Sequence, residues 1–177
     1  MEYFEAVKRR GSYRGAFLAE TIPEEDIREI MLAGIQAPSG YNHQTTSFVV
    51  VTDETLLKQL AAIISGPAVE TAPAIIVPIS EFWQAESGLS FEIEDYACAV
   101  ENILLAITAK GYAGVWMDGQ TKMDGNAQKI AALLQIPSNL HVRTIIPFGK
   151  PAKPVTQKEK KGFAERVFFN QFPADKG

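Results

Sequence analysis

The sequence predicts a layered fold of the α/β or α+β class, in which helices pack on a central sheet. Short β-branched or apolar runs at 47–52, 74–79 and 142–148 alternate with longer segments whose apolar residues recur at helical spacing. The composition, 46% hydrophobic and 21% charged in 177 residues, is typical of a globular protein. A chain of this length buries roughly two thirds of its unfolded surface, so we expect residues 1–177 to form one domain.

The first long helix is predicted from Thr21 to about Gln36. Thr21 and Glu24 have the spacing of a capping box, and Pro23 is tolerated in a first turn. The apolar residues that follow fall at i, i+3, i+4, i+7 and i+8, which is one face of a helix. They are Ile27, Ile30, Met31, Gly34 and Ile35.

Two strands flank the next predicted helix. Residues 47–52 form a β-branched run, and Asp53 after it is placed to cap a helix whose apolar face ends at Ile64. The run at 74–79 is also predicted to be a strand, although Pro78 has no N–H for a sheet ladder. We therefore expect this strand at a sheet edge, or Pro78 at a strand end.

The segment 95–110 is apolar on nearly all sides, and Gly111 is placed as its C-terminal cap. This pattern predicts a helix buried in the middle of the structure and makes it the candidate core of an oligomer. After it we expect a short strand at 113–117, a helix capped by Asp124 that ends near Gln135, and a last strand at 142–148.

Residues 150–177 are expected to form a C-terminal extension. The stretch 150–162 is charged and contains prolines, so it should cross the surface. The four phenylalanines beyond it need an apolar surface on which to dock, and either the same subunit or a partner subunit could provide one. They are Phe163, Phe168, Phe169 and Phe172.

Charge and cysteine count exclude several classes of protein. The net charge of −4 and the scattered basic residues argue against nucleic acid as a partner. Cys98 is the only cysteine, so no disulfide forms within a chain, and His43 and His141 lack metal-ligand spacing. Without a signal-peptide pattern or an apolar stretch of roughly 18 residues, we expect a soluble cytoplasmic protein that does not enter a membrane.

The sequence RGSYR near the N-terminus is the first candidate site. In an extended segment the side chains of Arg10, Ser12 and Arg14 face one way. Guanidinium groups bind phosphate through charge-assisted hydrogen bonds, and a hydroxyl adds a further donor. The alternative is that these residues are ordinary solvated surface.

The loop at 37–44, APSGYNHQ, is the second candidate site. Ser39, Asn42 and Gln44 both donate and accept hydrogen bonds, which suits the carbonyl and nitrogen edge of a heterocycle, and Pro38 helps to form the turn. A plain connection between a helix and a strand is the alternative.

Six segments in a fixed order carry a resemblance to a known family. They are RGSYR, IPEEDIREIMLAGIQAPSGYNHQ, FVVVTD, TAPAIIV, DYACAVENILLAITAKGYAGVWM and IPFGKPAKP. With this order the chain resembles the nitroreductase-family flavoproteins over nearly its whole length. The resemblance implies an α+β three-layer sandwich with a mostly antiparallel central sheet, a homodimer, and one FMN per subunit at the dimer interface.

The resemblance also assigns site residues. Arg10 and Ser12 match positions that hold the FMN phosphate and ribityl chain, and Arg14 matches the basic position near the pyrimidine edge of the ring. The loop of the partner subunit would lie against the flavin, with Gln44 close by. The turn after the long helix would pass near the flavin ring. A lysine near the C-terminus would reach the FMN phosphate. The positions concerned are Pro38, Ser39 and Asn42 in the loop, Gly114 and Val115 in the turn, and Lys160 or Lys161.

Other residues are given lesser roles or depart from the family pattern. The helix at 95–110 would be the central dimer helix, with Cys98 and Asn102 as core or interface residues and Trp116 as a packing aromatic. The segment 81–93, which includes Trp83, is a candidate pocket wall or lid. Thr45 and Thr46 stand where the family commonly has proline and tryptophan, so we expect a reshaped pocket.

The resemblance implies an NAD(P)H-dependent flavin oxidoreductase. Hydride would pass from NADPH or NADH to flavin N5 and then to an oxidised acceptor, such as a nitroaromatic or a quinone, in a ping-pong cycle that needs no catalytic side chain. One alternative is a non-catalytic flavin-binding or sensory module of the same fold. Another is an α/β domain that binds partners and no cofactor.

Overall fold

The computed structural model describes residues 1–173, in which eight helices surround one antiparallel sheet of five strands. A 3-10 turn at Gly40–Asn42 lies between α2 and β1. In chain order the elements are α1 Tyr3–Arg9, α2 Glu24–Ile35, β1 Thr46–Val51, α3 Glu54–Ile63, α4 Pro67–Glu70, β2 Ala74–Glu81, α5 Glu92–Ala109, β3 Ala113–Gly114, α6 Asp118–Lys122, α7 Asn126–Leu133, β4 Leu140–Val142, β5 Ile146–Gly149 and α8 Phe163–Arg166.

The sheet has the strand order β1-β2-β5-β3, and β4 pairs with β2 beyond the end of β5. Every strand pair is antiparallel. β1 pairs with β2 along its whole length, from Thr46 opposite Ser80 to Val51 opposite Ile75. β2 is therefore the central strand.

Pro78 lies inside this central strand, so the expectation of an edge strand or a strand end is wrong. β5 pairs with residues 74–76 of β2 and β4 with residues 79–81, which leaves a gap opposite Pro78. The Pro78 carbonyl points to that side, where it accepts from Arg143 N at 3.0 Å. The N and C=O of one residue point to the same side of a strand, so the missing N–H faces the gap and costs no ladder hydrogen bond.

Alternate residues of β2 point into two separate cores, as the period of a strand requires. Ala74 and Ile76 pack with α5 and with Ile30 of α2. Ile75 and Val77 pack on the other face, against α3, α4 and α7. Helices thus cover both faces of an antiparallel sheet, which confirms the expected three-layer α+β sandwich.

Two helices begin later than the sequence predicted. α2 starts at Glu24 with Pro23 as its N-cap, and no side chain caps it, so the capping box at Thr21 is wrong. Proline disfavours helical backbone in the residue before it, so Ile22 cannot continue a helix from Thr21. α7 starts at Asn126 after Gly125, and Asp124 has left-handed backbone with φ 52° instead of capping the helix. The cap predicted at Asp53 is confirmed, because its Oδ1 accepts from Leu56 N at 2.9 Å.

The last predicted strand, at 142–148, is two strands instead of one. β4 ends at Val142 and β5 begins at Ile146. Between them Arg143 turns its side chain toward Ser80 and toward Glu92, whose Oε1 lies 3.6 Å from Nη2. The Arg143 backbone stays bonded to β2, because its N donates to Pro78 O at 3.0 Å.

α5 is confirmed as the long helix; it ends at Ala109, and Gly111 terminates it as predicted. Tyr112 N donates to Ile107 O and Gly111 N to Thr108 O, both at 3.0 Å, and Gly111 has φ +83°, which together make a Schellman motif. In the single chain, however, only one face of α5 is buried. Ile93, Cys98 and Glu101 are exposed on the other, so Cys98 is not a core residue of the subunit.

The C-terminal segment crosses the surface, as expected for residues 150–162. Beyond it Phe163, Phe169 and Phe172 are 65–78% exposed, and the rings of Phe163 and Phe169 lie 6.3 Å apart. These aromatic side chains do not dock in a core of their own subunit. Within residues 1–173, no helix is both long enough and apolar enough to cross a membrane.

Candidate functional site

The segment 10–14 is extended and fixed against β3. Ser12 forms a bridge with Gly114, and Tyr13 N donates to Gly114 O at 3.1 Å. Gly11 and Tyr13 are buried, while Ser12 and Arg14 are exposed, so alternate side chains face opposite ways. The alternation expected for the RGSYR sequence is therefore present, and it brings the segment next to Gly114, another predicted site residue.

Arg10 begins this segment and is held at both its backbone and its side chain. Its Nε lies 3.4 Å from Glu101 Oε1 on α5. Its carbonyl accepts from Gln157 Nε2 at 2.7 Å, and the same amide donates to Val7 O at 3.1 Å. By contrast, within residues 1–173 the side chains of Ser12 and Arg14 make no hydrogen bond or ion pair, so both are available to a ligand.

Gly114 and Val115 are buried, and their backbone is used within the fold, since Gly114 O accepts from Tyr13 N at 3.1 Å and Val115 N donates to Pro147 O at 3.3 Å. A Cβ on Gly114 would lie 3.2 Å from the Cβ of Phe148 and 3.3 Å from Pro147 O. The glycine therefore allows β3 to approach β5 closely.

Two polar groups that follow this turn were missed by sequence reasoning. Trp116 Nε1 and Asp118 Oδ1 are buried and have no hydrogen-bond partner in the described part of the chain. The Trp116 ring does pack edge-on against Tyr96, at 5.9 Å, and Asp118 Oδ2 accepts from Lys122 Nζ at 2.8 Å. An unpaired buried donor is costly, so its presence one residue after Val115 points to a missing partner.

The loop at 37–44 forms a second group of predicted residues. Ser39 Oγ accepts from Gln44 N at 2.9 Å, and Asn42 N donates to Ser39 O at 3.0 Å. Tyr41, Asn42 and Gln44 all have φ between 53° and 55°, a left-handed conformation that is uncommon outside glycine. The loop thus has one defined, strained shape, which is frequent at ligand sites.

Asp95 on α5 fixes this loop, and the sequence did not indicate it. The carboxylate is 5% exposed; Oδ1 accepts from Gly40 N at 2.8 Å and Oδ2 from Thr45 Oγ1 at 2.7 Å. The only sequence signal is an aspartate at the start of a long apolar helix.

The threonines that depart from the family pattern have different environments. Thr45 is buried against Asp95, whereas Thr46 borders a cavity of about 60 Å³ and its Oγ1 has no partner in the described residues. Such a volume is large enough to hold water. That Thr45 and Thr46 reshape the ligand pocket stays a prediction.

The segment between β2 and α5 packs on the same loop. The Trp83 ring stacks on His43, with centroids 4.1 Å apart, and meets Tyr41 edge-on at 5.7 Å. Phe91 lies against Gly40, where an added Cβ would approach its ring within 2.6 Å. Trp83 and Phe91 therefore form a wall behind the loop.

Lys160 and Lys161 are exposed and contact neither group of predicted residues. The chain does pass the segment 10–14 shortly before them, because the position of a Cβ on Gly11 is 3.0 Å from Thr156 O.

Apart from Lys160 and Lys161, the predicted residues lie in two half-sites. The N-terminal half-site comprises residues 10–14 and 114–118, and the loop half-site comprises residues 37–44. Within residues 1–173, no hydrogen bond or ion pair joins them. Both are fixed to α5, through Glu101 in the first case and Asp95 in the second.

A model of the nitroreductase family matches residues 7–68 and 64–150, well over half of the sequence. The chain belongs to the nitroreductase family. This confirms the resemblance on which the site residues were assigned. Among curated relatives, a protein of Archaeoglobus fulgidus, provisionally named NADH dehydrogenase/NAD(P)H nitroreductase, is 32% identical over 145 residues, which cover 81% of this chain and 79% of that protein.

Two further relatives indicate how widely this fold is used. The crystal structure of a nitroreductase with bound FMN from Bacteroides fragilis NCTC 9343 is 26% identical, with a TM-score of 0.77 over 97% of this chain and 100% of that one. An iodotyrosine deiodinase of Thermotoga neapolitana is 26% identical over 177 residues, covering 85% of this chain and 89% of that protein. Names within this similarity range therefore differ in substrate, and family membership by itself leaves the electron acceptor open.

Proposed function

We propose that this nitroreductase-family protein is an FMN-dependent oxidoreductase that passes electrons from NADPH or NADH to a small oxidised acceptor, such as a nitroaromatic or a quinone. The observation that carries the proposal is the N-terminal half-site. Its backbone pairing with Gly114 fixes Ser12 and Arg14, which are both exposed, and the same half-site contains the buried Trp116 N–H, which has no partner within residues 1–173. These donors suit an anionic ligand with a polar ring.

The donor set fits FMN group by group. Arg10 and Ser12 would hold the phosphate and ribityl chain, because guanidinium and hydroxyl donors form charge-assisted hydrogen bonds with phosphate. Arg14 would lie at the pyrimidine edge, and the Trp116 N–H is free to donate to a further acceptor. Lys160 or Lys161 would supply a second cation to the phosphate, since the chain passes Gly11 at Thr156.

The chemistry belongs to the bound FMN, which accepts a hydride and delivers electrons onward. The chain's own residues bind and orient the reactants and exclude water. Arg14 would favour the negative charge that the ring gains on reduction. In this proposal donor and acceptor occupy the same site in turn, which is a ping-pong order.

We propose that the site is completed in a homodimer. The loop half-site, with Pro38, Ser39, Asn42 and Gln44, would lie against the FMN of the partner subunit. Two features of the single chain support this: the half-sites make no polar contact with each other, and α5 leaves Ile93 and Cys98 exposed. The exposed phenylalanines after residue 162 give the partner a further apolar surface.

An anaerobic visible spectrum tests the proposed function. The purified protein is incubated with FMN, desalted, and titrated first with NADPH and then with NADH. We expect a retained flavin spectrum that bleaches with one nicotinamide or both. A flavin spectrum that stays unbleached would indicate the non-catalytic module instead, and loss of all flavin on desalting would contradict the site.

Two variants tie that spectrum to the proposed residues. Ser12→Ala combined with Arg10→Ala should retain much less flavin, because both contacts to the phosphate end are gone. Arg28→Ala, which removes an exposed arginine of α2 outside both half-sites, should retain as much as the parent. Equal losses in both proteins would point to a general effect of removing arginine charge.

A further inference from the structure

The guanidinium of Arg10 is held through one edge only. Its Nε lies 3.4 Å from Glu101 Oε1, and in the described part of the chain neither Nη1 nor Nη2 makes a hydrogen bond. The Arg10 side chain is 21% exposed and that of Glu101 is 48% exposed. The terminal nitrogens, which form paired bonds with phosphate, are therefore left free.

We propose that Glu101 is a positioning residue for the FMN phosphate: it fixes the guanidinium of Arg10 through Nε and leaves Nη1 and Nη2 for the ligand. This inference rests on the proposed function. It concerns a residue on α5 that touches Arg10 and need not touch FMN.

The remaining freedom of Arg10 lies in its side chain, which is where Glu101 acts. The backbone is already fixed, because Arg10 N donates to Ala6 O at 2.8 Å and Gln157 binds the Arg10 carbonyl. An arginine side chain has many rotamers, and ordering it on binding weakens affinity. A carboxylate that orders it beforehand removes part of that cost.

The alternative to positioning is that the Glu101 carboxylate competes with the FMN phosphate for Arg10 and repels the phosphate by its negative charge. The geometry favours positioning. A carboxylate that competed with phosphate would bind both Nη nitrogens in a two-point contact, whereas Glu101 makes a single contact, at Nε. A half-exposed ion pair contributes little to fold stability, so a change at Glu101 should act on ligand affinity rather than on folding.

The test measures the dissociation constant for FMN by fluorescence quenching at fixed ionic strength, using full-length parent, Glu101→Ala, Arg10→Ala and the double variant. Glu101→Ala should weaken FMN binding roughly three- to tenfold, which is the loss expected for ordering one long side chain. Arg10→Ala should weaken it roughly ten- to a hundredfold. In the Arg10→Ala background, removing Glu101 should have no further effect, because the group that it orders is gone.

Two controls separate positioning from charge. Glu94→Ala removes another exposed carboxylate of α5, seven residues and thus two turns from Glu101 on the same helix face, and should leave FMN affinity unchanged. Glu101→Gln removes the charge of the 3.4 Å ion pair but keeps an oxygen that can accept from Nε, and it should stay within about twofold of the parent. Circular dichroism confirms that each variant is folded.

Several results would overturn the inference. One is FMN binding by Glu101→Ala that is as tight as in the parent or tighter, which would make Glu101 a competitor or a bystander. Another is that removing Glu101 lowers FMN affinity equally in the parent and in the Arg10→Ala background. A third is that Glu101→Gln binds FMN as weakly as Glu101→Ala. A parent that retains no FMN contradicts the proposed function itself, and this inference with it, and is thereby distinguishable from the other results.

Discussion

Arg10 and Arg14 stand four residues apart in one extended segment but lie in different environments. Arg10 is mostly buried and paired with Glu101, whereas Arg14 is exposed and has no polar partner within residues 1–173. A fixed guanidinium with free terminal nitrogens suits tight binding of an anion. In the proposed site, the unpaired guanidinium of Arg14 would instead act on the charge of the ring.

The residue-scale prediction concerns Arg14. Arg14→Ala should lower the reduction potential of bound FMN, because a nearby cation stabilises the negative charge gained on reduction. A partly screened interaction of about 1–2 kcal/mol corresponds to a shift of roughly 20–40 mV for two electrons. Potentiometry of the FMN-loaded proteins measures this, with Arg28→Ala as the control. An unchanged or higher potential in Arg14→Ala would remove this role.

At the residue scale the sequence predicted the exposed hydrogen-bond donors better than the buried polar groups. The alternation in RGSYR predicted the exposure of Ser12 and Arg14, because it follows from the period of extended backbone, whereas Arg10, expected on the same face, is mostly buried. Asp95 and Trp116 could not be assigned in this way. Their roles depend on which backbone groups and rings the fold brings to them.

The ends of α2 and α5 are tied by a polar cluster. Asp26 Oδ1 lies 3.0 Å from Lys110 Nζ, and Asp26 Oδ2 accepts from the Tyr112 hydroxyl at 2.6 Å. The hydrogen bond from Tyr112, followed by that from Lys110, lowers the pKa of Asp26 below its ordinary value. Burial, with this hydrogen bond to Asp26, raises the pKa of Tyr112 to about 12. The cluster therefore persists in its charged form at neutral pH.

The first element-scale prediction is that Asp26→Asn lowers the midpoint of thermal unfolding by a few degrees at pH 7. Because the pKa of Asp26 is lower in the folded state, its stabilising effect is complete above the unfolded pKa of about 3.9 and is lost as pH falls through the folded pKa. The difference between parent and variant should be constant from pH 7 to pH 5 and shrink at pH 3. Thermal melts at these pH values measure it.

Glu25→Gln on the same helix turn is the matched control for Asp26→Asn. Glu25 is exposed and without an ion pair in the described residues, so its substitution should shift the midpoint less. Equal shifts in the two variants would show that the helix N-terminus, and not the contact with α5, is responsible.

The second element-scale prediction concerns the segment between β2 and α5. Trp83→Ala removes the ring that stacks on His43 and meets Tyr41, so the loop half-site loses its wall. We expect KM for bulky aromatic acceptors to rise several-fold, with a smaller change for small quinones. Steady-state kinetics with a panel of acceptors tests this, and Phe82→Ala, which removes an exposed neighbouring ring, is the control. Unchanged kinetics across the panel would make Trp83 a packing residue only.

Errors in the predicted elements have local physical causes. Pro23 stops α2 from beginning at Thr21, because proline restricts the residue before it. Pro78 is tolerated in the central strand, because neither β4 nor β5 faces its missing N–H. The first cause is present in the sequence itself. The second depends on which strands become neighbours, and sequence periodicity does not report that.

At the scale of the whole molecule, the single chain exposes several large apolar side chains on α5 and in the C-terminal segment. The exposed face of α5 includes Ile93, and Phe163, Phe169 and Phe172 are each at least 65% exposed. Large exposed apolar patches mark interaction surfaces. The two half-sites, which make no polar contact within the described chain, agree with an interface that joins them between subunits.

The prediction at this scale combines three substitutions, Phe163→Ser, Phe169→Ser and Phe172→Ser. If the tail docks on the partner, the variant should dissociate at concentrations where the parent is dimeric, and it should lose bound FMN with the dimer. Size-exclusion chromatography with light scattering, followed by a visible spectrum, measures both. Phe4→Ser, which removes another highly exposed aromatic outside the tail, is the control. A variant that remains dimeric and yellow would show that the tail is not needed for the interface.

The sequence by itself determined the alternating layers, the long helix with its glycine cap and the two segments proposed to bind a ligand. These features follow from short-range periodicity and from residue chemistry. Tertiary structure decided that β2 is central, that Asp95 and Glu101 on one helix contact the two segments, and that no hydrogen bond or ion pair joins these segments within residues 1–173. Such contacts join residues far apart in the sequence, since they arise only when the sheet and its two helical layers pack together.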